Sequence, residues 1–204
     1  MIEYALLGGG GLAIELFEYM STENKKLIGY YDLVNDERLS KHLNYLGDEH
    51  KEKLHKKVHY IVSSGFLDIR RKMISFIEEK NLIAGSFISK RAYLSQLSKY
   101  GKGIVMIPFA ACTGNAILGE FVFLNVYASI GHDAVVGNNV VVGPKATITG
   151  KCTIGNDVTF GANSALLPGT RIGSNVEISI ETFPRKNIGD NKFVMGTVGK
   201  TLSF

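Results

Sequence analysis

The chain has 204 residues, 45% of them apolar and 21% charged, with a formal net charge of +4. This is the length of one large or two small domains with ordinary globular composition. No apolar run is long enough to span a membrane, the opening MIEYALLGGGG lacks the basic flank and apolar core of a secretory signal, and no basic stripe marks a nucleic-acid surface.

Residues 1 to about 85 read as alternating strands and helices. The apolar run 2–7 predicts a buried strand, ended by Gly8, Gly9, Gly10 and Gly11. Residues 13–20 (AIELFEYM) show helical spacing, and 27–31 predict a second strand ending at Asp32. Residues 58–62 predict a third strand. The stretch 68–80 predicts an amphipathic helix with Ile69, Met73, Ile74 and Ile77 on its buried face. Residues 82–88 predict a fourth strand leading onward. Such alternation implies a parallel sheet flanked by helices. Gly8, Gly10 and Ala13 fit G-x-G-x-x-A between a strand and a helix, with Asp32 about twenty residues on. The glycines would let phosphates approach a helix N-terminus and Asp32 would take a ribose hydroxyl. Ser64, in Ser63-Ser64-Gly65, sits at the same sheet edge and would close the pocket. A purely structural turn is the competing reading. The length suits half a Rossmann unit (βαβαβ), holding one nucleotide moiety.

From residue 106 to 178 every sixth residue is apolar: Met106, Cys112, Leu118, Leu124, Ile130, Val136, Val142, Ile148, Ile154, Phe160, Leu166, Ile172 and Ile178. Four places after each stands a small or β-branched residue, Ala110 through Val176. A period of six suits neither a helix nor a hairpin. It predicts a left-handed parallel β-helix, a triangular prism with the large aliphatic residues stacked inside. Glycines one place after the apolar residue, such as Gly119, Gly131 and Gly143, are expected to ease the corners by their backbone freedom. The pairs Asn138-Asn139 and Asn156-Asp157 are expected to face water at the corners. Cys112 and Cys152 both take inward positions and read as buried thiols in a reducing cytoplasm, neither a bridge nor a metal pair. The division is therefore an α/β nucleotide-binding part, 1–88, followed by the prism, 89–204.

His42, His50, His55 and His59 read as solvated or structural. His132 is the one histidine beyond residue 59. Two places after an inward residue, it belongs at a corner or outer edge, where an exposed imidazole can accept a proton at neutral pH. Asp133 follows it and can hold the ring. Taken alone, a surface histidine is the competing reading. A single histidine in the repeat, with no cysteine or carboxylate cluster, cannot supply the three-histidine zinc site of prism-shaped carbonic anhydrases. No metal is expected.

The hexapeptide repeat, the short Rossmann-like start and the segment NVYASIGHDAVVGNNVVVGP at 125–144 resemble the sugar acetyltransferases of the sialic-acid O-acetyltransferase and bacillosamine N-acetyltransferase type. The resemblance covers nearly the whole chain. It implies acetyl-CoA as co-substrate, with no permanently bound cofactor, and a homotrimer with active sites between prisms. It implies an amine acceptor on a nucleotide-linked sugar, typically a 4-amino-4,6-dideoxy sugar used in bacterial surface glycans. His132 matches the family's general base, Asp133 its adjacent acid, and Asn125 the asparagine beside the acceptor amine. The Gly150 amide would hold the thioester oxygen, with Gly161, Ala162 and Lys200 along acetyl-CoA. Gly8, Gly9, Gly10, Asp32 and Ser64 match the part that holds the nucleotide. Three departures stand out: Leu12 and Val141 where relatives carry histidines, and a closing motif, Val194 to Lys200, without its proline. O-acetylation of a sugar or sialic acid, and an inactive binding module, are the alternatives.

Overall fold

A computed structural model describes residues 2–196. Its N-terminal part is a four-stranded parallel sheet, β1 (Glu3–Leu7), β2 (Lys26–Tyr31), β3 (His59–Val62) and β4 (Ile83–Ala84), in the order β2-β1-β3-β4. The connections are α1 (Gly11–Thr22), the single-turn α2 (Glu37–Ser40) and α3 (Leu67–Glu79). The chain passes from β1 to one side and then crosses to the other. The strand order therefore reverses between β1 and β3, and open sheets of this kind hold ligands at the carboxyl edge of that switch point. α2 has no apolar periodicity and was invisible in the sequence; the Asp36 carboxylate caps it by accepting from the Arg38 amide at 2.9 Å.

The predicted run 82–88 divides in two. Ile83–Ala84 completes the α/β sheet, and Phe87–Ile88 is already the first rung of the column, paired with Val105–Met106. Gly85 permits this crossing, because a side chain there would meet Ile61 and His59 at about 3 Å. The amphipathic reading of α3 needs a correction as well. Ile77 is buried, but Ile69 is 44% exposed, and the face turned inward carries Arg70, 1% exposed.

The repeat folds as a parallel β-solenoid of about six turns. Two-residue rungs pair with the rung eighteen residues on, such as Phe123–Leu124 with Val141–Val142 and Ser129–Ile130 with Thr147–Ile148. Three parallel sheets result. All thirteen large inward residues are at most 3% exposed, and they form one continuous core with the small residues. The last turn is two residues shorter, since Val176–Ile178 pairs with Lys192–Val194.

The corners are made differently from expectation. The left-handed residue at each is rarely glycine: Asn115, Phe121, Tyr127, Asp133, Asn139, Lys145, Lys151, Asp157 and Asn163 all have φ between 51° and 60°. Left-handed backbone costs a non-glycine residue on the order of 1–2 kcal/mol. It is retained because it turns the residue's N–H onto the preceding turn: Asp133 N–H donates to the Gly114 carbonyl, and Lys151 N–H to that of His132. The expected role of Gly119, Gly131 and Gly143 is therefore corrected. They sit where successive turns touch, and a Cβ on Gly131 would lie 2.4 Å from the Gly150 nitrogen.

The α/β part lies on one face of the prism. The outward residues of that face, Phe87, Val105, Phe123 and Val141, are buried against Leu6, Leu16 and Tyr30; the next two outward positions, Thr159 and Glu177, are polar and uncovered. At the adjoining corner Arg70 donates from Nε to Asn139 Oδ1 at 2.8 Å, from Nη1 to the Ser64 carbonyl at 3.0 Å, and from Nη2 to the Phe121 carbonyl at 2.5 Å. Asn139 is consequently 6% exposed and does not face water. Its amide continues to Asp157, which Arg71 holds at 3.1 Å. Burial pushes the Arg70 guanidinium down to about 10, leaving it cationic at neutral pH. Arg70→Ala strands three buried acceptors and should lower unfolding stability by about 3 kcal/mol or more, read as a reduced denaturant midpoint.

Candidate functional site

His132 stands at the corner between the rung Ser129–Ile130 and the rung Val135–Val136. Its side chain is 64% exposed. Nδ1 lies 2.7 Å from Asp133 Oδ2, and Asp133 Oδ1 accepts from Asn115 Nδ2 at 3.2 Å. The histidine bond first, and the Asn115 bond second, hold the Asp133 carboxyl below its ordinary range. A carboxylate only accepts, so Nδ1 carries a proton, and in the neutral ring Nε2 then presents a lone pair. Asn115 was missed in the sequence. It lies eighteen residues before Asp133, one full turn below, and the turn length would have flagged it.

Gly150 is one turn above His132. An added Cβ there would lie 2.6 Å from His132 Nε2, so the basic nitrogen hangs directly over this glycine. The Gly150 N–H has no hydrogen-bond acceptor among the described residues. The contrast with another corner is informative. There the equivalent amides of Glu120, Asn138, Asn156 and Ser174 are each capped by the side chain one turn above: Asn138, Asn156, Ser174 and Asp190. The His132 corner therefore presents a bare backbone donor beside a bare basic nitrogen, the pair that acyl transfer needs for oxyanion and proton.

Asn125, Gly161 and Ala162 do not join this corner. They stack at the next one, after the rungs Phe123–Leu124 and Val158–Phe160. Asn125 Oδ1 accepts from the Val126 amide at 2.6 Å, and the Ala162 amide has no acceptor among the described residues. Lys200 and the end of the closing motif lie outside the described residues. Leu12 packs partly buried against the α/β core, and Val141 is buried between that core and the prism.

The glycine loop lies elsewhere again. Gly9 N–H donates to Asp32 Oδ2 at 2.6 Å, and a Cβ on Gly9 would strike the Tyr30 ring at 2.6 Å. Gly8 has φ 104°, and Gly10 caps α1 with no side chain and open space around it. No acidic residue occupies the first turn of α1, so the only carboxylate shown at its N-terminus is Asp32, bound to the Gly9 amide. Gly9, Gly10, Asp32 and Arg38 line a cleft of about 470 Å³. Ser63, more than Ser64, binds this edge together, donating to the Gly8 carbonyl at 2.8 Å; the Ser64 hydroxyl accepts from Phe66 N–H at the start of α3. Gly9→Ala should leave the prism intact and weaken binding of any diphosphate at this edge by about 10-fold or more, since the ring and Asp32 must shift. Titration with bare nucleoside diphosphates reads this.

The α/β part covers the face opposite the His132 corner. The two sites thus occupy opposite edges of one chain. Among the described residues no group of three or more His, Cys, Asp or Glu side chains is placed to hold a metal ion, and no helix is long and apolar enough to cross a membrane.

The family description "bacterial transferase hexapeptide (six repeats)" matches residues 115–150. No curated protein matches the chain. Among solved structures, the acetyltransferase domain of PglB from Neisseria gonorrhoeae FA1090, in complex with acetyl coenzyme A, is similar at 20% identity, with 98% of each chain covered and a TM-score of 0.89. WeeI from Acinetobacter baumannii AYE is similar at 18% identity over 96% of this chain and 97% of that one, with a TM-score of 0.82. PerB from Caulobacter crescentus, in complex with CoA and GDP-perosamine, is similar at 17% identity over 96% and 94%, with a TM-score of 0.79. What the chain shares with all three over nearly its whole length is the architecture, a parallel β-solenoid of hexapeptide repeats carrying an N-terminal α/β part.

Proposed function

We propose that this protein is a cytoplasmic acetyltransferase that moves an acetyl group from acetyl-CoA to the amine of a nucleotide-linked amino sugar, of the 4-amino-4,6-dideoxy class. The observation that carries the reading is His132 Nε2 poised over the free Gly150 amide, with Nδ1 locked by Asp133. The likeness to an acetyltransferase domain holding acetyl coenzyme A, and to PerB holding CoA with a nucleotide sugar, supports it. The amine nitrogen attacks the thioester carbonyl while Nε2 takes its proton. The Gly150 N–H donates to the oxyanion. The tetrahedral adduct collapses, the C–S bond breaks, and the imidazolium returns the proton to the departing thiolate. The buried Cys112 and Cys152 take no part.

The working unit is a homotrimer. In one chain the glycine loop and the base lie on opposite edges, and Asn125, Gly161 and Ala162 lie one corner away from His132. A neighbouring prism brings the missing corner and α/β part to each base. Gly8, Gly9, Gly10, Asp32 and Ser64 take the nucleotide, Asn125 the acceptor amine, and Gly161, Ala162 and Lys200 the acetyl-CoA.

Thiol release from acetyl-CoA in the presence of UDP-, dTDP- and GDP-linked amino sugars tests the activity; no release with any of them refutes it. Co-expression of His132→Ala chains with Asn125→Ala chains tests the sharing. Mixed trimers contain interfaces with both residues intact and should recover activity that neither variant has alone. Absence of recovery, or an active monomer by light scattering, refutes the shared site.

A further inference from the structure

Three features without a role in the fold meet at one cavity. Ile69, on the apolar face of α3, is 44% exposed, and Leu33 just past β2 is 67% exposed. Both line a cavity of about 290 Å³ with Gly8, His50, Lys72, Met73 and Phe76. Glu49 also lines it; its side chain is only 15% exposed, and its Oε2 is shut from solvent with no hydrogen-bond partner among the described residues. His50 does not satisfy it, since its Nε2 stands 3.7 Å from the other oxygen, Oε1. A carboxylate oxygen stranded in apolar surroundings is costly unless something supplies donors.

Asp32 is a wall common to this cavity and to the cleft at Gly9 and Gly10. The order along the sheet edge is therefore a largely apolar slot edged by Glu49, His50 and Lys72, then Asp32, then the open helix N-terminus. That is the order base, ribose, phosphate in a nucleotide. Among nucleobases, guanine alone carries two adjacent donors on one edge, N1–H and the 2-amino group, matching the two oxygens of a carboxylate once the Glu49 side chain turns its enclosed Oε2 into the cavity. Uracil and thymine offer one N–H between two carbonyls, which a carboxylate repels. Adenine and cytosine place an acceptor beside their donor. We infer that the cavity is the base site and that Glu49 selects guanine, so the nucleotide carried by the acceptor sugar is GDP. This rests on the nucleotide-sugar reading of the α/β part.

Thermal shift and calorimetry with bare GDP, UDP and dTDP test it. GDP should bind at least about 10-fold more tightly than the other two and raise the melting midpoint most. Glu49→Gln keeps the shape, removes the charge, and should weaken GDP about 10- to 100-fold. Ile69→Trp fills the slot from an exposed position and should abolish binding of all three without lowering the midpoint of the unliganded protein. Equal stabilisation by the three nucleotides, no binding at all, or GDP affinity unchanged in Glu49→Gln overturns the inference. The two readings fail separately. Thiol release with a UDP- or dTDP-linked acceptor refutes the guanine site and leaves the transferase; Glu49-dependent GDP binding with no thiol release from any acceptor does the reverse.

Discussion

His132→Ala is expected to lower kcat by about 10²–10⁴-fold, the usual contribution of a positioned general base, with little change in the KM for acetyl-CoA. The side chain is 64% exposed and takes no part in the core, so the melting midpoint should not move. The pH profile gives the sharper reading. Acidification protonates Nε2, and the wild-type rate should fall on the acid side; a rate flat from about pH 5 to 8 would remove His132 as the base. Asp133→Asn tests the positioning. The Asp133 carboxyl is held in its anionic form by His132 and then Asn115. Removing the charge frees the ring to turn away from Gly150, so the plateau rate should drop while the melting midpoint stays in place. A plateau unchanged in Asp133→Asn would mean that Asp133 does not hold the ring.

Gly150→Ala is expected to cost about 10²–10³-fold in kcat without unfolding the prism. The new methyl lands 2.6 Å from His132 Nε2, and what must yield is the end of an exposed side chain, which swings away cheaply. Gly150 has no positive φ, so alanine fits its backbone. The ring leaves its place and the methyl shields the amide, so base and oxyanion donor are lost together. Gly131→Ala is the control with the opposite balance. Its methyl would meet the Gly150 nitrogen at 2.4 Å and the Thr149 carbonyl carbon at 2.6 Å. Backbone cannot swing aside, so the turns must separate and the midpoint should fall. A Gly150→Ala enzyme with unchanged kcat would show that no reacting group visits this corner.

The architecture of the prism was legible because its rule is local and repeated. Each six-residue unit places one large and one small side chain inward, and every unit from Met106 to Ile178 obeys it. The turn before Met106 keeps the same spacing, with Ile88 and Leu94 packed against the core and Tyr100 half exposed at the inward register, and its pairing begins at Phe87. The glycines misled. Gly131 looks like a corner former in sequence, yet residues such as Phe121 have the left-handed φ and Gly131 the close contact.

The site divides in the same way. His132 and Asp133 are adjacent in the chain, and any extended corner brings their side chains together, so the dyad could be read directly. Gly150 was reached by resemblance, and the eighteen-residue turn explains why it belongs there. Asn115, Arg70 and the Glu49 cavity depend on groups far apart in the chain. Arg70 reads as the polar side of a surface helix until Asn139, Phe121 and Ser64 gather round it. Sequence by itself determined the period, the inward residues and the adjacency of His132 and Asp133, because these follow from spacing along one strand of backbone. Only the tertiary structure decided which prism face the α/β part covers, and hence that the glycine-loop edge and His132 stand apart in one chain. That choice is made by outward residues such as Phe123 and Val141, whose burial depends on a partner surface and leaves no periodic trace.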